Sequence, residues 1–339
     1  MTRRSILTVF LLGLGFAAVL AVTVIQRELT FQELLTRGIE ALRQQNRAVA
    51  IEALSGAIAL KRSSMVAYLR RGEAYLLGGQ QDFPSALRDF REAARLDPGA
   101  VRPLERLGDI SAKLGSYERA AEYYRTGLEL DEGAPGMTYK LALAEYQAGR
   151  AGEALALADR TLRLDPGLAE AHYLRGLCLV DRAKLREGAD AFRQALARDG
   201  RLVGARVQLA LTARQLGHRR DEITHLEQLV EQTRQPEHAA ALGRALVELG
   251  RIDRAIEVLQ EASTRFPRDA RLMTTLGSAW LEKAAATEDR RARGHALEWL
   301  RRAEEEERRT GGAPSETLAA LGRAWLLDNQ PRQAVEALQ

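Results

Sequence analysis

The sequence predicts an all-α chain: a right-handed superhelical solenoid of about nine helix pairs, preceded by one apolar helix. Three observations carry this. A small residue, usually glycine, returns about every 34 residues from Gly38 to Gly322 in a helix-forming context. Further small and bulky apolar positions keep the same register. An apolar run, Ile6 to Ile25, precedes the first repeat. Self-similarity at such a period marks stacked supersecondary units, each too small to bury its own apolar face.

Composition agrees. Apolar residues make up 46% and charged residues 28% of 339, which excludes a disordered chain. Aromatic content of 5% and nine prolines argue against a β-sandwich or barrel. Fifty basic residues face 46 acidic ones, and the two signs are interleaved as on solvated helix faces. A net charge of +4 spread this way is too small for a nucleic-acid binder. One cysteine, Cys178, excludes an intrachain disulfide, a CxxC pair and a multi-cysteine zinc site.

Residues 1–4 form a short basic N-terminus containing Arg3 and Arg4. Residues 5–26 read as a transmembrane anchor or uncleaved signal, because about 20 apolar residues at 1.5 Å rise span a hydrocarbon core of about 30 Å. A cleaved signal peptide is the alternative, with Ala21 as the small residue at the cut. The run exceeds the 7–15 apolar residues usual for such signals, which favours the anchor. Arg3 and Arg4 before the run, against Arg27 and Arg37 beyond it, favour a cytoplasmic N-terminus and a body outside the cytoplasmic membrane.

Residues 27–339 form the repeat array, with units starting near 31, 65, 101, 135, 169, 203, 236, 270 and 315. Position 8 is Gly38, Gly72, Gly108, Ala142, Gly176, Ala210, Gly243, Gly277 and Gly322. Position 20 is small in most units (Ala50, Ala120, Ala154, Ala255), and so is position 27 (Ala57, Ala93, Ala195, Ala262). Position 24 is bulky: Leu54, Phe90, Tyr124, Phe192, Leu226, Leu259, Leu300 and Leu338. Position 15 is glycine in five units and Asn329 in the last, as a helix end in the left-handed region requires. Position 32 is Pro98, Pro166 and Pro267, which stop the second helix.

This pattern resembles the tetratricopeptide repeat over about residues 31–339. The resemblance implies two antiparallel helices per unit, A at positions 1–14 and B at 18–31, with the A helices lining a concave groove. It also implies an interaction module, not an enzyme. No Walker A loop, HExxH or GxSxG is present. His218 and His225, with Glu222 three residues before His225, read as polar positions at a turn and on helix B, because a dependable metal site needs three or four converging ligands. No cofactor is expected.

In this family positions 2, 5, 9 and 12 of helix A usually line the groove. Here they give Glu73, Glu105 and Asp109, then Tyr139, Leu143, Tyr146 and Tyr173 with Leu177, Val180, Val207 and Leu211, then Arg214, Arg244, Arg271 and Arg323. The expectation is a groove that is acidic, then apolar, then basic. The Lys/Asn arrangement of the family's chaperone-type carboxylate clamps is absent, which disfavours an acidic chaperone C-terminus as ligand. Glu222 and Leu229 depart from the small positions of unit six, where looser packing is expected. Extra residues around 286–293 read as lengthened helices with a solvated turn, since charge runs usually face water; an arginine-bearing interaction loop is the alternative. The last unit stops half-way through helix B, so Leu318, Leu321, Trp325 and Leu338 are expected at an open edge available for self-association.

The reading that follows is a membrane-anchored scaffold binding a peptide or helix of a protein partner, in envelope complex assembly. The alternatives are a non-catalytic targeting subunit of an enzyme or secretion machinery, and a cytoplasm-facing adaptor.

Overall fold

The computed structural model describes residues 3–311 and 315–338, with the side chains of 3–15, 17, 18, 315 and 338 outside that set. The described residues form eighteen α-helices, one short 3-10 turn and no strand. The chain makes two compact units, Met1–Pro166 and Gly167–Gln339.

The first unit holds four helix pairs: α1 (Arg3–Arg43) with α2 (Arg47–Leu60), α3 (Met65–Leu76) with α4 (Phe83–Leu96), α5 (Val101–Lys113) with α6 (Tyr117–Leu130), and α7 (Pro135–Gln147) with α8 (Ala151–Leu164). The second holds five: α9 (Ala169–Asp181) with α10 (Leu185–Arg198), α11 (Val203–Gln215) with α12 (Arg219–Thr233), α13 (Pro236–Glu248) with α14 (Ile252–Arg265), α15 (Ala270–Thr287) with α16 (Arg290–Arg309), and α17 (Ser315–Leu327) with α18 (Pro331–Leu338).

One contact repeats through both units. A methyl group at Gly38, Gly72, Gly243 or Gly277 would come within 2.5–2.6 Å of Leu54, Phe90, Leu259 or Leu300 respectively. Gly108 and Gly176 stand in the same relation to Tyr124 and Phe192. The glycine of helix A therefore makes the hole that the bulky residue of helix B fills. In the fourth pair both partners are small, Ala142 and Ala158, and both are fully buried.

The turn between A and B needs one residue at positive φ. Gly115 (φ 73°) supplies it in the third pair with open space around the missing side chain. Ala183 takes the same conformation at φ 59° and Gln45 at φ 56°, without glycine's freedom. Between units the chain reverses through Asx turns: Asp97 Oδ1 accepts from the Gly99 amide at 3.1 Å, and Asp131 from Gly133 at 3.2 Å.

Four features qualify the sequence reading. The helix that carries the apolar run does not end before the first repeat: α1 continues unbroken to Arg43, and Gly38 within it faces Leu54. The span at residues 5–26 lies mostly on side chains outside the described set, and among the described residues no helix is long and apolar enough to cross a membrane. Phe16, Val19, Leu20, Val22, Val24 and Ile25 are exposed. Arg27 fastens α1 to α2, donating from Nη2 to the Leu60 carbonyl at 2.6 Å, and Lys61 pairs with Glu28 at 3.3 Å.

In unit six Glu222 is buried, with its carboxylate 2.8 Å from Arg219, and Leu229 is buried too. The extra residues of unit eight are helix and turn. They lengthen α15 to 18 and α16 to 20 residues, joined through Glu288 at φ 56° and Asp289, whose carboxylate accepts from the Arg291 amide.

The expected open edge is a correction. Leu321 and Trp325 are buried and Leu318 is half-buried, because α16 and Ala334 of α18 cover them; Leu338 lies outside the described side chains. Arg301 lies over the Trp325 ring at 4.6 Å. The apolar side chains exposed there are Leu326, Leu327 and Val335.

Candidate protein-binding face

In the first unit the A helices bring charge together. Glu73 of α3 is 12% exposed and receives three guanidinium groups: Arg70 at 2.8 Å, Arg102 at 2.9 Å and Arg106 at 3.4 Å. Arg70 lies one helical turn before Glu73 on α3. Arg102 and Arg106 reach over from α5. Ile39 and Leu42 of α1, with Leu76 and Leu77 at the end of α3, form the apolar wall of a cleft of about 390 Å³ beside them.

One repeat further on, Lys140 of α7 reaches back to Glu105 at 2.6 Å and Asp109 at 2.9 Å. The Tyr124 hydroxyl donates to Asp109 at 2.9 Å. Burial lowers the Lys140 pKa, but the hydrogen bonds to Asp109 and Glu105 outweigh it, and the pKa is raised. Burial first, then the Asp109 charge, raise the Tyr124 pKa.

This overturns the acidic end of the expected groove. Glu73, Glu105 and Asp109 are on the A-helix face, but each is already paired inside the fold, and around Glu73 the arginines outnumber the carboxylate. The sequence reading missed Arg70, Arg106 and Lys140 because they stand at position 6, a column it did not read. Arg102 stood in position 2, and its charge was the available signal. Tyr139, Leu143 and Tyr146 of α7 are half-buried.

In the second unit Tyr173 of α9 is half-buried, its ring 5.9 Å from that of Phe192, and burial raises its pKa. A methyl group at Gly204 would meet its hydroxyl at 3.1 Å, so Tyr173 is also a packing residue. Leu177 and Val180 pack on Ala189, Phe192 and Leu209, and Val207 on the next core cluster, while Leu211 is exposed. Arg214 pairs with Glu248 at 3.3 Å, and Arg219 holds the same carboxylate at 2.6 Å. Arg271 and Arg323 are exposed and Arg244 half-buried, with no ion pair among the described residues.

Glu222 pairs with Arg219 at 2.8 Å. Among the described residues no group of three histidine, cysteine or acidic side chains could hold a metal.

Stacked antiparallel helix pairs, with charged and apolar side chains on their A helices, define the chain as an all-α helical-repeat protein. Tetratricopeptide-repeat models match residues 35–81, 74–135, 139–202 and 236–279, together more than half of it, and the chain belongs to the tetratricopeptide-repeat family.

Among relatives, it is 32% identical over 116 residues to small glutamine-rich tetratricopeptide repeat-containing protein 2 of Mycosarcoma maydis, covering 34% of this chain and 32% of that one. It is 31% identical over 126 residues to anaphase-promoting complex subunit 7 of Arabidopsis thaliana, covering 37% and 22%. The chain thus spans no more than about a third of the length of the curated relatives it matches. Among solved structures, PilW, a type IV pilus biogenesis factor, superposes with a TM-score of 0.52 at 19% identity, covering 62% of this chain and 98% of that one. PilF of Pseudomonas aeruginosa gives 0.51 at 17%, covering 61% and 94%. At these identities the likeness is one of fold.

Proposed function

We propose that the protein is a non-catalytic, membrane-anchored scaffold that holds a peptide segment or helix of a partner protein against the A-helix face of its repeats. Its body lies outside the cytoplasmic membrane, where it serves the assembly of an envelope complex. The observation that carries the binding reading is the cleft of the first unit, where an apolar wall meets an excess of guanidinium donors at half-exposed positions. Aromatic side chains at neighbouring positions, Tyr139 and Tyr146, would add rigid contact area. The exposed apolar side chains from Phe16 to Ile25 support the anchor, since a surface of that kind is stable only where it is covered by lipid or protein.

Co-purification from cells tests the binding reading, using the full-length chain against a Tyr139→Ala/Tyr146→Ala variant of equal helicity. Loss of the recovered partner by about tenfold is expected, as for truncated aromatic anchors. Unchanged recovery would remove α7 from the binding face. A periplasmic reporter fused after Leu338 tests the topology, and activity confined to the cytoplasm would reverse it.

A further inference from the structure

Glu73 is not a free acidic group waiting for a basic ligand. Arg70 Nη1 donates to Oε2 at 2.8 Å, and Arg102 donates to Oε1 at 3.1 Å from Nε. Arg106 donates to the same Oε1 at 3.4 Å. Each guanidinium has five N–H donors, and one carboxylate accepts about four hydrogen bonds. The cluster is therefore over-supplied. The Nε atoms of Arg70 and Arg106 are buried with no partner, although a buried donor ordinarily finds one. Asp109 redresses part of the balance, because Arg106 Nη1 also donates to its Oδ2 at 3.4 Å beside Lys140 and the Tyr124 hydroxyl. Arg70, Arg102, Arg106 and Lys140 against Glu73, Glu105 and Asp109 still leave one positive charge in excess.

Three guanidinium groups thus converge on Glu73, in a network with one positive charge in excess, at the side of an apolar wall. Arg102 is half-exposed, with side-chain exposure of 49%, and Leu77 is 44% exposed. A ligand there meets donors and apolar surface together. A basic segment would be repelled; an acidic one would complete the donors that Glu73 leaves unfilled.

We propose that Glu73 is a built-in occupant of an arginine site, and that the partner segment this cleft takes carries a carboxylate next to a bulky apolar side chain. This rests on the scaffold reading. The incoming carboxylate binds Arg102 and Arg106, and the apolar side chain lies on Leu42, Leu76 and Leu77. Glu73 keeps the arginines ordered without a ligand and competes with the ligand for them. It therefore sets the affinity from inside the fold.

Fluorescence anisotropy with the full-length chain in detergent micelles tests this. The probes are two fluorescein-labelled peptides, Gly-Ser-Gly-Glu-Leu-Leu-Gly-Ser and the same peptide with lysine in place of glutamate. The acidic peptide should bind about tenfold more tightly than the basic one at low salt, and less so at high salt, as screened charges require. Glu73→Gln should tighten the acidic peptide about threefold or more, and Arg102→Gln/Arg106→Gln should abolish the preference. Arg102→Gln alone, at a half-exposed position, keeps the test open if either change disturbs folding.

Equal binding of the two peptides, or no effect of Glu73→Gln in a variant of unchanged helicity, overturns the proposal. Equal binding that is lost in Leu76→Ala/Leu77→Ala overturns it and leaves the scaffold reading standing. Binding of neither peptide overturns both at this face.

Discussion

The two compact units share one packing rule and differ in how they treat charge. In both, the glycine of helix A receives the bulky residue of helix B. In the first unit, ion pairs tie neighbouring repeats along the A helices: Arg102 and Arg106 to Glu73, Lys140 to Glu105 and Asp109. Two carboxylates are buried outright. Asp89 accepts Nε and Nη2 of Arg71 at 2.7 and 2.8 Å, and Glu145 is held by Arg125 and Arg150. In the second unit Arg214 of α11 reaches Glu248 of α13 at 3.3 Å, while Arg271 and Arg323 are exposed with no ion pair among the described residues. All five histidines of the chain are there. The repeat geometry is therefore set by volume at two positions, which leaves charge free to vary from one unit to the next.

The largest effect should come from breaking a buried pair of the first unit. Asp89→Ala leaves Arg71 without the hydrogen bonds that raise its pKa, at a cost of about 3 kcal/mol or more. Arg214→Ala in the second unit, removing a half-exposed partner, should cost under about 1 kcal/mol. Urea midpoints of the two variants measure the difference, and equal losses would erase the contrast between the units.

Next is the shared rule. Gly72→Ala and Gly243→Ala each place a methyl group against a fully buried side chain, Phe90 or Leu259, and should each cost about 1–3 kcal/mol. A loss in one unit only would show that the packing rule is not common to both.

Acid should then separate them. Burial lowers the pKa of His225, with the Arg206 charge adding to it, and burial lowers that of His238. A histidine whose folded pKa lies below its unfolded value near 6.5 favours the folded state above that value. That contribution is lost as pH falls through 6.5 towards the lower folded pKa. Hydrogen exchange at pH 7.5 and 5.5 should show protection falling in residues 167–339 and holding in residues 27–166. His225→Gln/His238→Gln should flatten the change.

The smallest effect concerns the turns. Ala183→Gly should stabilise by about 0.5–1 kcal/mol, because φ 59° suits glycine, whereas Gly115→Ala should destabilise by about 1 kcal/mol. Thermal midpoints of the two variants should move in opposite directions.

The period and the column of small residues made the helix pairs legible, because a close approach of two backbones forces residue size at fixed positions. The face was legible only in part. The groove positions were read from the family pattern, but whether a carboxylate there is free depends on long side chains from the next repeat, such as Arg102 and Lys140. Those reach across distances that no spacing within one unit encodes. Glu222 shows the same limit. A charged residue in a small position reads as a packing fault, yet half-exposed Arg219 one turn away pairs with the buried Glu222 carboxylate. Trp325 was misplaced because a terminal helix too short to look like a cover still buries it. The side chains of the apolar run lie largely outside the described residues.

The unbroken α1 has a mechanical consequence. Forty-one residues of helix are about 60 Å long, and the hydrogen-bond ladder leaves no joint at which one end can turn without the other. Arg27 and Glu28 then bolt that rod to the end of α2. Whatever grips the apolar half sets both the tilt and the rotation of the first repeat, so the cleft beside Ile39 and Leu42 faces a fixed direction, as a tool held by its shaft.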